Sequence, residues 1–315
     1  MAPPAVLRTA EARFAGLTDF PFAPRYQRVT DARLGALCMA AIDEGPRDAP
    51  VALLLHGEPT WSYLYRTIIP RVTAAGFRAV APDFIGFGRS DKPAHRGDYS
   101  YDAFVGWLRE FIEALGLTRI TLVCQDWGGP IGLRVLSEQP QRFAAVLAAN
   151  TLLPNCEPPP RGIAGWPGAT IENWAAYAAG ADDLAVSGII AGVSRKPLSA
   201  LAQRAYDAPF PDASYKAAAL AFPPLIPLRA DMPGIAENRR VWEFLETFER
   251  PFVTAFSDGD PTTAPWAEVF RRRVPGACGQ VHPVIEGAGH FLQEDAGAAL
   301  AQVLVGLLRR TFPDR

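Results

Sequence analysis

The chain has 315 residues, enough for about two domains or for one large α/β body carrying an insertion. Apolar residues make up 49% and charged residues 20%, the balance of a folded chain rather than a disordered one. Lys and Arg number 31 against 33 Asp and Glu, a net charge of −2, so no whole-chain field draws the protein to nucleic acid or anionic lipid.

The first eight residues lack a basic region followed by an apolar stretch, so no secretory signal is expected and the cytoplasm is the default. The longest apolar runs fall far short of the ~20 residues that a membrane helix needs. Cys38, Cys124, Cys156 and Cys278 form no CxxC pair and no Cys/His metal spacing. They read as reduced thiols, with no metal and no cofactor expected.

In chain order, residues 26–29 and 37–41 read as an antiparallel opening pair. The runs 51–55, 78–81, 120–125, 143–149, 252–256 and 283–285 are apolar almost throughout, which is the signature of strands buried on both faces. Together they predict a mostly parallel sheet of eight strands flanked by helices. One helix is expected over 101–115, with Phe104, Leu108, Phe111, Ile112 and Leu115 on its apolar face, Ser100 as N-cap and Gly116 past its end. A second, over 297–311, repeats the pattern through Leu300, Val303, Leu304, Leu307 and Leu308.

Composition shifts after Asn150. Pro158, Pro159, Pro160, Gly162, Gly165 and Pro167 form a breaker cluster, and residues 162–193 carry only Glu172, Asp182 and Asp183 as charges. Residues 152–227 therefore read as a helical cap inserted between the two parts of a main domain, 1–151 and 228–315.

The sharpest chemical signal is Cys124-Gln125-Asp126-Trp127-Gly128-Gly129, at the point where a strand must turn into a helix. Small residues on either side permit the sharp turn of a nucleophile elbow, which here displays a carboxylate, Asp126. An acid and a histidine follow in the order this arrangement requires. The run 252–256 leads into Ser257-Asp258-Gly259-Asp260, where Asp260 is the expected acid and Asp258 its rival; the last strand leads into Gly287-Ala288-Gly289-His290. Of the four histidines, His290 alone follows a turn placed to aim it at the elbow. After the strand 51–55 comes His56-Gly57-Glu58, whose Glu58 N–H, with that of Trp127, is expected to form an oxyanion hole. The His56 side chain is expected only to brace that loop.

The strings HGEPTWSYLYR (56–66), APDFIGFGRSDKP (81–93), QDWGGPIGL (125–133), APFPDASY (208–215) and GHFLQE (289–294) resemble the haloalkane dehalogenases of the α/β-hydrolase superfamily. The resemblance is greatest to the subfamily that draws its second halide-binding tryptophan from the cap. It implies the α/β-hydrolase fold, Asp126 as nucleophile, His290 as base, Asp260 as its acid, and Trp127 with Trp174 as halide donors, Trp166 being the alternative to Trp174. Thr262 and Thr263 stand where relatives often carry apolar residues, and Phe222, Pro223 and Ile171 are expected beside them in the substrate pocket.

An ionised carboxylate needs no base to displace halide from an sp3 carbon, and the resulting ester has a carbonyl that activated water can attack. A serine would leave an ether with nothing to hydrolyse. The expected partners are a small halogenated hydrocarbon, halide and water, acting on a monomer. Two alternatives remain at this point. An epoxide hydrolase would recruit tyrosine hydroxyls such as Tyr177 and Tyr206, and a non-catalytic hydrolase-fold binding protein would have no use for a complete triad.

Overall fold

The computed structural model describes residues 5–157 and 168–314, with no side-chain detail at 168 and 169. Eleven strands follow one another in these residues: β1 (Val6–Leu7), β2 (Arg25–Asp31), β3 (Gly35–Glu44), β4 (Val51–Leu55), β5 (Arg78–Pro82), β6 (Lys92–Pro93), β7 (Ile120–Asp126), β8 (Phe143–Thr151), β9 (Phe252–Thr254), β10 (Phe256–Ser257) and β11 (Val284–Ile285). Seven of them form one sheet in the order β2-β3-β5-β4-β7-β8-β9. The pairs β2-β3 and β3-β5 are antiparallel; the rest are parallel. All five residues of β4 and of β5 are buried, as expected of strands covered on both faces. Full burial of each such Val or Leu contributes about 1.5–3 kcal/mol.

The helices α1 (Ile69–Ala74), α2 (Tyr101–Ala114) and α3 (Gly128–Glu138) alternate with strands β4 to β8. Then come α4 (Gly168–Gly180), α5 (Val186–Val193), α6 (Ala200–Asp207) and α7 (Ala217–Ala221), followed by α8 (Ile235–Leu245), α9 (Trp266–Arg273) and α10 (Leu292–Thr311). At the start of α2 the Ser100 hydroxyl accepts from Ala103 N–H at 3.1 Å, and Gly116 beyond its end has φ +59°. No helix among the described residues is long and apolar enough to cross a membrane.

Two elements differ from the sequence expectation. The run 252–256 divides into β9 and β10, and the eighth strand, β11, pairs only with β10 instead of extending the ladder of seven. The reason is Asn150, held at φ +38° near the end of β8. Its carboxamide oxygen accepts from Ser257 N–H at 2.8 Å, so a side chain takes over where the backbone ladder stops. The last helix begins at Leu292, five residues earlier than expected, and bends at Ala296, whose φ of −142° is not helical. Its first turn thus follows directly on His290.

Candidate active site

Strand β7 ends on Asp126, which has φ +50°, a left-handed conformation that a residue with a side chain adopts only under constraint. The surroundings supply that constraint. A Cβ on Gly57 would collide with the Asp126 side chain, one on Gly128 with the Leu55 carbonyl, and one on Gly129 with the Thr151 hydroxyl. The Thr151 hydroxyl itself donates to the Asp126 carbonyl at 2.7 Å. Glycines at these three positions let the elbow press against β4 and β8, and the turn lifts the carboxylate above the sheet.

Asp126 Oδ1 accepts the backbone N–H of Glu58 at 2.9 Å. Its Oδ2 lies 3.4 Å from His290 Nε2. On the far side of the imidazole, Nδ1 lies 3.1 Å from Asp260 Oδ2. Asp260 also accepts the N–H of Thr262 at 2.8 Å, the N–H of Thr263 at 3.3 Å, and the Thr263 hydroxyl. Asp258, the rival acid, instead accepts from Ala288 N–H at 3.3 Å and ties two loops together. Burial opposes charge on Asp260, but the His290 charge and these hydrogen bonds outweigh it and hold the carboxyl below its ordinary range.

Burial likewise opposes charge on His290. The charge of Asp260 and the hydrogen bonds to Asp126 and Asp260 prevail, pushing the imidazole up to about 10. Both carboxyl groups thus favour the protonated form of the imidazole that lies between them. His56 behaves in the opposite way. Fully buried, with its ring 2.9 Å from the Gly57 carbonyl and accepting Phe84 N–H at 3.0 Å, it is held neutral and braces the loop that carries Glu58.

Above Asp126 opens a cavity of about 350 Å³. Glu58, Asp126, Trp127, Ile171, Trp174, Thr262 and His290 line it, joined by Leu152, Ile189, Val193, Ile226 and Phe291, which sequence reasoning passed over. The other expected wall residues lie elsewhere. Phe222 is buried behind Trp127, their ring centres 4.8 Å apart. Pro223 opens the short turn Pro223–Leu225, after which Ile226 and not Phe222 or Pro223 meets the cavity. Thr263 is fully buried, with its hydroxyl on Asp260. Trp166 falls outside the described residues.

Glu58 is the unexpected feature. Its carboxyl lies in the cavity wall, accepts the Trp174 indole N–H, and leaves Oε1 buried without a hydrogen-bond partner among the described residues. Burial, and then the charge of Asp126, push it well above the ordinary glutamate value, the Trp174 hydrogen bond only partly offsetting them. Both causes favour its protonated form. Asn150 was also missed. Its amide nitrogen lies 2.9 Å from the Gly289 carbonyl, the His290 carbonyl and Ser257 Oγ, fixing the base loop to β8 and β10. The one signal for it is a polar residue near the end of a buried strand.

The two tyrosines an epoxide-opening site would need are not in the cavity wall. Tyr206 is buried, with its hydroxyl on Glu294, and Tyr177 is 56% exposed, stacked on the outer side of Trp174 with ring centres 5.6 Å apart. Among the described residues no group of His, Cys, Asp and Glu has a metal-binding arrangement.

A family model for the alpha/beta hydrolase fold matches residues 50–187. Over 95% of its length the chain is 46% identical to a haloalkane dehalogenase of Psychrobacter cryohalolentis, of which 97% is covered. A haloalkane dehalogenase of Mycobacterium marinum is 43% identical over 95% of this chain and 98% of the relative. Among solved structures, the tetrameric haloalkane dehalogenase DpaA of Paraglaciecola agarilytica aligns with a TM-score of 0.86 and 38% identity, over 95% of this chain and 97% of that one.

The raised value of Glu58 has a consequence for stability. Between the ordinary glutamate value of 4.5 and its folded value the native state holds a proton that the unfolded chain has lost, so stability falls as pH rises through that window. Glu58→Gln removes this loss. Chemical denaturation should find the variant gaining on the parent as pH rises from 4.5 to 8; a constant difference across that range would mean that Glu58 is ionised in the folded protein.

Proposed function

This chain belongs to the haloalkane dehalogenases, hydrolases of carbon–halogen bonds built on the α/β-hydrolase fold, and from that premise we propose the part each residue of the site takes in the reaction. Asp126 is the nucleophile. Its Oδ1 is engaged by Glu58 N–H, so Oδ2 attacks the halogen-bearing carbon. A carbon–oxygen bond forms as the carbon–halogen bond breaks, and the bonding pair leaves with the halide. Trp127 and Trp174 receive that anion, each supplying an indole N–H in a cavity with few competing dipoles. To reach the halide, the Trp174 N–H turns from the Glu58 carboxyl, whose raised affinity for a proton lessens repulsion of the anion.

Esterification also prepares the second step. Two of the four interactions that raise His290 come from Asp126, its hydrogen bond and its charge. Once Asp126 is a neutral ester both are weakened or lost, and His290 releases the proton that appears in solution. It can then take a proton from water, whose oxygen adds to the Asp126 carbonyl carbon. The ester carbonyl oxygen is Oδ1, already on Glu58 N–H, with Trp127 N–H as the second donor of the oxyanion hole. Collapse of the adduct breaks the bond between the carbonyl carbon and the alkyl oxygen, the adduct's hydroxyl proton passes to that oxygen, and the alcohol leaves with the Asp126 carboxylate and the imidazolium restored. Asp260 holds the imidazole tautomer throughout and stabilises the imidazolium.

In this reading residues 152–227 form the cap, which contributes Ile171, Trp174, Ile189, Val193 and Ile226 to the apolar wall. We read the enzyme as cytoplasmic. The monomer expected from the sequence contrasts with the tetrameric relative from Paraglaciecola agarilytica. The observation that carries the assignment is the alignment of Glu58 N–H, Asp126, His290 and Asp260 at 2.9, 3.4 and 3.1 Å beneath one cavity.

Without its base the enzyme should stop halfway. His290→Phe exposed to 1,2-dibromoethane should gain the mass of one bromoethyl group on the peptide containing Asp126, and an unmodified, folded protein would refute the scheme. Trp174→Phe removes one charged hydrogen bond and should weaken bromide binding by about tenfold or more, read by quenching of the remaining tryptophan fluorescence. Unchanged affinity would remove Trp174 from the halide site.

A further inference from the structure

Asp295 lies in the first turn of α10, five residues beyond the base, and is buried. Its carboxylate hydrogen-bonds away from its own helix. Oδ2 accepts the N–H of Gly289 at 2.8 Å and the N–H of Arg195 at 2.9 Å, and Oδ1 accepts the N–H of Lys196 at 2.7 Å. Lys196 returns the contact by donating its ammonium to the Asp295 carbonyl. One carboxylate thus joins the base loop to the segment just after α5. The end of α5 itself also meets His290, whose N–H donates to the Val193 carbonyl at 2.9 Å.

The packing leaves no slack at this junction. A Cβ on Gly289 would collide with the Val193 carbonyl, and a Cβ on Gly259, in the loop of the acid, would collide with the Arg195 guanidinium. Residues 193–195 therefore press on the loops of both His290 and Asp260. The nucleophile is held differently, by its own elbow, by Thr151 and by Glu58 N–H, none of which touches Asp295.

We propose that Asp295 is a positioning residue for His290, locking the chain after α5 onto the base loop so that the imidazole keeps its place over Asp126 during ester hydrolysis. The inference rests on the roles given above to Asp126 and His290. Charge-assisted bonds to three backbone N–H groups make a rigid clamp, and removing the charge loosens it. Displacement of halide depends on Asp126 and the tryptophans and is spared. Hydrolysis requires a base within hydrogen-bond reach of water and is not.

The experiment follows both half-reactions in Asp295→Asn with 1,2-dibromoethane, using rapid quenching to time bromide release and ester decay, with intact mass to count the ester. Alkylation should stay within about twofold of the parent, while ester hydrolysis slows by about 10- to 100-fold, as misplacement of a catalytic group by an ångström can do. The alkyl-enzyme then accumulates. Equal slowing of both steps, or of neither, would overturn the proposal, since a merely structural loss lowers the active fraction without altering the partition. Gly289→Ala, which forces the Val193 carbonyl away and keeps the carboxylate, should shift the partition in the same direction and serves if Asp295→Asn does not fold. His290→Phe in parallel separates the two levels: no ester there refutes the triad reading itself, whereas ester there with an unshifted partition in the Asp295 variant refutes only the clamp.

Discussion

A single strained residue organises this protein. Asp126 sits at φ +50°, and everything above the sheet is arranged around the direction its carboxylate takes from that backbone. The strain persists because the surroundings overdetermine it. Three glycines admit the neighbouring strands to distances that no side chain tolerates, and the Thr151 hydroxyl fixes the Asp126 carbonyl from the adjacent strand. The parallel sheet matters to function through this turn, because strands β4, β7 and β8 end side by side where the carboxylate emerges.

Around that carboxylate the protein controls charge rather than accumulating it. Glu58, Asp126 and His290 line one apolar cavity with Asp260 behind the imidazole, and burial opposes charge on Glu58, Asp260 and His290. For Glu58 burial and the nearby Asp126 charge prevail and push it well above the ordinary glutamate value. Asp260 and His290 remain charged because each faces the other across 3.1 Å. Asp126, His290 and Asp260 thus stand in line, and in the proposed mechanism alkylation of Asp126 removes one end of that line. In that mechanism the event that completes the first half-reaction also weakens the interactions that hold the proton on His290.

The sequence carries the elements of this account unevenly. A strand, a turn of small residues and a helix mark Asp126 because local chemistry permits little else there, and Gly-Ala-Gly before His290 is almost as restrictive. Asp258 and Asp260 share one turn, and only its three-dimensional path decides which carboxyl reaches the imidazole. Asn150 and Glu58 lie beyond what pattern reveals. The role of the first depends on two strands far apart in sequence, and the protonation of the second depends on a cavity no single segment encloses. The cavity wall was read least well, since a short proline turn exchanges Phe222 and Pro223 for Ile226.

The account stands on an ester formed through an oxygen of Asp126, and isotope placement tests that most directly. In a single turnover with enzyme in excess over 1,2-dibromoethane in water enriched in 18O, the alcohol should carry the ordinary oxygen of the enzyme, and the label should appear in the peptide that contains Asp126. Label in the alcohol, with none in that peptide, would mean that water displaces the halide directly and would contradict the account.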